Sequence, residues 1–165
     1  MNRLLHVLKC VLLILAAWLV VAGDSSSAAP PQAADVAIVV NPAVPADNLS
    51  LAELRKVFMG DRQYWTSNLR VTLLIRAPVA RERDMVLKII YQMTEAQFRQ
   101  YWVSKVFRAE VASGPRIVYS NETATELVGA SPGSIAFVDA SQIPKGLKVL
   151  KIDGFLPRET GYPLH

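Results

Sequence analysis

Ser50 to Trp65 runs SLAELRKVFMGDRQYW. Ser50 and Glu53 have the spacing of a capping box, in which a hydroxyl and a carboxylate satisfy each other's backbone N–H groups. Leu49 and Leu54 stand at the two staple positions around it. Leu54, Val57 and Phe58 share one helical face, and Gly60 is placed to stop the helix. The stretch therefore predicts an amphipathic helix with one face turned to a core, followed by a polar loop from Asp61 to Asn68 that carries Tyr64 and Trp65. On either side lie two short β-rich apolar runs, Val36–Val40 (VAIVV) and Val71–Ile75 (VTLLI), the second ending in Arg76. Both read as buried strands.

Further along the chain the alternation continues. Pro78 suits the first position of a helix, and Val86, Ile89, Ile90 and Met93 repeat at helical spacing. Thr94 and Gln97 form a second capping box, with Met93 and Phe98 as its staple. Phe98, Tyr101, Trp102 and Val106 are expected to line the buried side of that helix, and Ser104-Lys105 to be an ordinary surface pair. After Gly114-Pro115 come a strand from Arg116 to Tyr119 and a short helix from Glu122 to Val128, capped by Ser120 or Asn121. Pro132-Gly133 turns into a strand from Ser134 to Val138, and Leu147 to Ile152 is expected as a last, edge strand. Strands alternating with helices predict an α/β layer with helices on the faces of the sheet. Phe58, Phe98, Tyr101 and Trp102 fall on apolar stripes and are read as core. Trp65 lies in a polar loop, where packing and ligand contact are both open to it.

The first residues have the pattern of an export signal. Arg3 and Lys9 give a positive start, and Val11–Ala22 is an unbroken apolar run, shorter than the ~20 residues that span a bilayer. Residues 1–23 are therefore expected to be a signal peptide, cleaved after Val21-Ala22-Gly23, with Gln32-Ala33-Ala34 as a second candidate site and an uncleaved anchor as the alternative. Residues 24–35, with the composition DSSSAAPPQAA over most of their length, read as a flexible linker. Residues 36–165 are left as one domain, which suits a chain of 165 residues.

Composition excludes several classes of function. The whole chain has 18 Lys+Arg, 14 Asp+Glu and a formal charge of +4, and losing Arg3 and Lys9 leaves +4 − 2 = +2. So small a balance argues against nucleic acid or a membrane surface as partner. The one cysteine is Cys10 and the two histidines are His6 and His165, so the mature chain has no thiol and a single imidazole. A Ser-His-Asp triad, a thiolate nucleophile and a multi-histidine metal site are all disfavoured. With no paired-acid or phosphate-loop motif either, the expectation is a protein that is not an enzyme and has no cofactor.

Several stretches together resemble the phosphate-binding protein family of ABC importers, within the type 2 periplasmic binding protein fold. They are Val39-Val40-Asn41, Leu51–Trp65, the strand ending in Arg76, the Tyr101-Trp102 to Phe107 segment, and Pro132–Val138 (PGSIAFV), which is similar to the family's Pro-Gly-Ala-Ile-Gly-Tyr-Val. The resemblance runs from Val36 to Val138 and covers only the second lobe of such a receptor. It implies a single three-layer α/β domain with a mixed sheet flanked by helices. It also implies a small oxyanion such as phosphate as ligand, bound weakly because half of the enclosing cleft is missing; with the N-terminal signal, the expected location is the periplasm or the secreted fraction.

In the family, a strand-terminal arginine and a Ser-Gly-Thr at the next helix start hold the anion with hydroxyls and free N–H groups. Arg76 matches that arginine, but the Ser-Gly-Thr places fall on Ala80, Arg81 and Glu82. A carboxylate ~4 Å from a phosphate charge repels it by roughly 4 kcal/mol at an effective dielectric of 20. Arg81 and Arg83 offset this only if they point inward, and Glu82 and Asp84 equally suit a helix that satisfies its own positive end. Arg76 itself is open to two readings, a bidentate anion contact or a salt bridge to Glu82 or Asp84. Asn41 is grouped with Arg76 because ligands gather at strand carboxyl ends, though it also suits loop capping. The anion-binding candidates are thus Arg76, Arg81, Arg83 and Asn41. The second expectation is a binding fold used as an envelope protein-interaction module, with Arg62, Tyr64 and Trp65 as its contact surface and a transporter protein or a second copy of the chain as partner.

Overall fold

The computed structural model describes residues 34–165, so the expected signal segment and nearly all of the expected linker lie outside the described residues. Among the described residues there are seven strands: β1 (Val36–Val40), β2 (Asn48–Leu49), β3 (Thr72–Arg76), β4 (Arg116–Val118), β5 (Ser134–Asp139), β6 (Lys148–Val149) and β7 (Lys151–Ile152). The helices are α1 (Leu51–Phe58), α2 (Arg81–Val86), α3 (Glu95–Phe107) and α4 (Asn121–Ala130). A π-helical turn, Leu87–Tyr91, continues α2, and a short 3-10 turn, Ala140–Gln142, follows β5.

Five strands form a mixed sheet in the order β4-β3-β5-β1-β6, and β2 and β7 form a separate parallel pair. β3 runs parallel to β4 and β5, while β1 is antiparallel to both β5 and β6. Because helices cover both faces, strand residues of either parity are buried and the strands read as continuous apolar runs. Val36, Ile38, Val40, Leu73, Ile75, Ile135 and Phe137 enter one core with the apolar faces of α1, α2 and α3. Ala37, Val39, Leu74, Ala136 and Val138 enter the other, where α4 contributes Ala124 and Val128. This is the expected α/β arrangement of a mixed sheet flanked by helices.

Both capping boxes are in place. Ser50 accepts from the Glu53 N–H and Thr94 from the Gln97 N–H, and each partner side chain accepts from the cap's own N–H. Gly60 follows α1 at φ 70°, and a Cβ there would meet the Trp102 ring at 2.9 Å. Gly133 is more constrained, since a Cβ would stand 2.1 Å from the Arg70 carbonyl oxygen.

Four expectations need correction. Pro78 does not open a helix. The chain stays extended through the Ala77 N–H to Val118 carbonyl bond, turns by the Ala80 N–H to Ala77 carbonyl bond, and α2 begins at Arg81 with Ala80 as its cap. Val106 is exposed, and Lys105 is buried in its place because Asp61 and the Tyr101 ring neutralise and cover its ammonium group. Ser104-Lys105 is therefore not a surface pair. The run from Leu147 to Ile152 divides into β6, on the edge of the main sheet, and β7, which pairs with β2.

Candidate functional site

Parallel β3, β4 and β5 end together, so one rim of the sheet collects the starts of α2 and α4 and the 3-10 turn after β5. Arg76 is the last residue of β3 and alternates with Ile75, which puts its side chain on the α4 face with Leu74. The residue is only 8% exposed, and its Nε and Nη1 are buried without a hydrogen-bond partner. Among the described residues no carboxylate lies within ion-pair distance of it, so the bridge to Glu82 or Asp84 that the sequence leaves open does not form.

Around it lies a polar lattice. Asn121, the first residue of α4, donates to Glu82 Oε1 (3.3 Å) and Gln142 Oε1 (2.6 Å), and its own oxygen accepts from the Asp139 N–H at 3.3 Å. One buried amide thereby ties α2, α4 and the end of β5 together. Glu82 is buried, so the carboxylate at the family's hydroxyl place is part of this lattice. Ser120 caps α4 by accepting from the Thr123 N–H. Glu122 beside it is held below the usual carboxylate range by hydrogen bonds from its own backbone and from Ser120, with a smaller pull from the Arg76 charge. Two apolar side chains stand free on the same rim, Val79 at 96% and Tyr119 at 81% exposure.

The other candidates are placed differently. Arg83 turns inward, but to structural partners: it forms a two-point pair with Glu95 (2.8 and 2.9 Å), donates to the Arg76 carbonyl oxygen at 2.6 Å, and lies 4.8 Å from the Phe98 ring centroid. Its fork is fully used, which removes it from the anion candidates. Arg81 is half out in solvent, 3.7 Å from Asp139 Oδ2 and donating to the Ala34 carbonyl oxygen. Burial alone would raise the Asp139 carboxyl, but hydrogen bonds from Ser141 and the Arg81 charge outweigh it and hold it low.

Asn41 sits at the opposite rim. β1 is antiparallel to β5, so its carboxyl end pairs beside Ser134, at the start of β5, and not beside Arg76. There Asn41 Nδ2 donates to the Val128 and Gly129 carbonyl oxygens and Oδ1 accepts from the Ala43 N–H, which caps the end of α4 and the loop together. The strand-end rule fails for Asn41 because strand direction alternates in a mixed sheet.

The loop of Arg62, Tyr64 and Trp65 also lies at that opposite rim, before β3. Trp65 is 2% exposed and its indole N–H donates to the Gly133 carbonyl oxygen at 2.9 Å. It is a packing residue and leaves the proposed contact surface. Tyr64 is half exposed, and Arg62 stacks 5.5 Å from the Trp65 ring centroid. Sequence reasoning missed the bridging part played by Asn121. Its only signal was the Ser-Asn pair at a helix start, which reads as a cap.

No family model matches the chain. Solved structures do resemble it. A putative phosphate ABC transporter substrate-binding protein of Clostridium perfringens, solved with bound phosphate, is 15% identical with a TM-score of 0.59, covering 73% of this chain and 46% of its own. An ABC-type phosphate transport receptor of Vibrio cholerae is 18% identical with a TM-score of 0.60, covering 75% and 48%. PstS of Borrelia burgdorferi is 17% identical with a TM-score of 0.59, covering 75% and 49%. The chain spans just under half the length of these proteins, and the likeness is one of fold. The described residues have the fold of a single lobe of such a receptor.

Proposed function

We propose that the chain is an exported, non-enzymatic solute-binding-like domain, and that its C-terminal rim takes a small oxyanion, phosphate or sulfate, at Arg76. The observation that carries this is the buried guanidinium with two unpartnered nitrogens at the tip of β3. A buried charge without a counter-ion is costly, by several kcal/mol in general, so the position calls for a negative group. The fold likeness supports the same class of ligand. Binding is expected to be weak: Glu82 stands at the rim, Arg83 is spent on Glu95, and one lobe leaves the ion open to water.

Thermal unfolding in millimolar phosphate and sulfate tests the reading. The unfolding temperature should climb with ion concentration as RT ln(1 + [L]/Kd) requires, and Arg76→Gln should abolish the response. A wild-type protein that ignores both ions would sink it. A second reading is favoured by the exposed Val79 and Tyr119 on the same rim. In it, a protein partner in the envelope covers the rim and supplies the carboxylate for Arg76. Cross-linking from a photoreactive residue at Tyr119 in intact cells should then trap one discrete partner.

Export rests on the apolar Val11–Ala22 run and on the receptor-like fold. Protein recovered from the envelope should begin at Asp24 by N-terminal sequencing, and a chain beginning at Met1 would make the segment an anchor instead.

A further inference from the structure

A cleft of about 440 Å³ opens at the opposite rim, between the start of β3 and the chain leading into β4. Its floor is apolar and buried, formed by Leu73, Trp102 and Val111. Arg62, Arg70 and Arg116 line the cleft as well, Arg62 with its guanidinium stacked on Trp65 beside it. Among the described residues none of the three has a carboxylate within 4.0 Å. Of the nearby acids, Asp61 is held by Lys105 and Glu110 by Arg108, while Glu53, which feels the Arg62 charge, is hydrogen-bonded to Ser50. Among the described residues these arginines therefore keep a positive charge that no ion pair cancels, and the floor offers one polar group, the Trp102 indole N–H, buried without a partner.

The position is set by backbone geometry. β4 pairs with β3 only from Leu74 onward, where Leu74 meets Arg116. Before that point the chain at Val111–Pro115 stands off from Thr72 and Leu73, and the gap is the cleft. Gly60 keeps it open from the other side, since a Cβ there would strike the Trp102 ring that forms the floor.

We infer that this cleft is a binding site for a small amphipathic carboxylate, with an aryl or branched-alkyl body on the apolar floor and its carboxylate among the three guanidinium groups. The volume lies within the range of small-molecule sites, and the lining joins an apolar floor to polar side chains, those of Gln63, Thr72 and Ser113 beside the three arginines. Charge-assisted contacts from arginine fix the orientation. An inorganic ion gains nothing from the floor's apolar side chains, and a neutral apolar molecule gains nothing from the arginines. The site lies at the other rim from Arg76 and is independent of the oxyanion proposal.

Amide chemical shifts of the full-length protein, titrated with 3-phenylpropionate, test this directly. Leu73, Val111, Ser113 and Gly114 should move together and saturate. 3-Phenylpropan-1-ol and phosphate should each shift them at least about tenfold more weakly. The double variant Arg70→Gln/Arg116→Gln alters two exposed side chains and should unfold as the wild type does while losing about tenfold in affinity. Arg76→Gln should bind 3-phenylpropionate as the wild type does. Equal binding of the alcohol or of phosphate, an unchanged affinity in the double variant, a loss in Arg76→Gln, or no shift at these amides would each overturn the proposal.

Discussion

Arg76 and Asn41 show how differently two polar residues at strand ends are treated. Asn41 is a fully partnered buried amide with three hydrogen bonds to backbone. At ~1 kcal/mol net for each, Asn41→Ala should cost about 3 kcal/mol in urea unfolding and leave any anion response intact. Arg76 is the reverse case, a buried cation with two empty donors. Arg76→Met keeps the packed stem and removes the unpaired charge, so in anion-free buffer its urea midpoint should be no lower than the wild type's, and higher by about 1 kcal/mol in stability if burial of the charge dominates. A loss beyond ~2 kcal/mol would reveal a partner for the guanidinium. Tyr91 and Tyr162 donate to the Phe58 and Val36 carbonyl oxygens, and burial pushes both phenols above their usual value of 10.0. A raised folded value means the stability is whole below pH 10 and drains away above it, as the unfolded chain ionises first. Unfolding free energy should therefore fall by up to about 1.4 kcal/mol per pH unit for each tyrosine above pH 10, and Tyr162→Phe should make that slope shallower by one tyrosine's share.

Helix starts were legible because their signals are local. A capping box needs only four residues, and Ser50–Glu53 and Thr94–Gln97 each form as their spacing requires. Thr94→Ala removes the side-chain acceptor of α3 and should cost about 1 kcal/mol, read as a lower unfolding midpoint with unchanged helix content. The start of α2 was misplaced because the deciding bond joins the Ala77 N–H to the Val118 carbonyl oxygen, a residue on a strand far away in sequence. Lys105 was misread for a similar reason. Its helical position faces α1's terminal loop, and Asp61 supplies the charge that lets an ammonium group be buried there. A helical wheel registers side-chain character but not the partner that awaits it.

At the scale of the whole molecule, one sheet serves two cores. Each strand of the central pair, β1 and β5, sends alternate residues into both. Neither core can be lost while the other stands, so far-ultraviolet circular dichroism and tryptophan fluorescence should report one coincident unfolding transition for the described domain. Two separated transitions would mean that the α4 layer comes away alone. The same sheet decides what is brought together. The chain's own residues determined which segments are strands and helices, where most of them are capped, and that Arg76 ends a strand, since these follow from hydrophobic period and near-neighbour hydrogen bonding. Only the tertiary structure decided that Asn41 lies at the other rim from Arg76, that Arg83 is taken by Glu95, that Trp65 is buried, and that Arg62 and Arg70 line one cleft with the distant Arg116. Strand direction and partner identity are properties of contacts between residues far apart along the chain, and no local window of sequence contains both halves of such a contact.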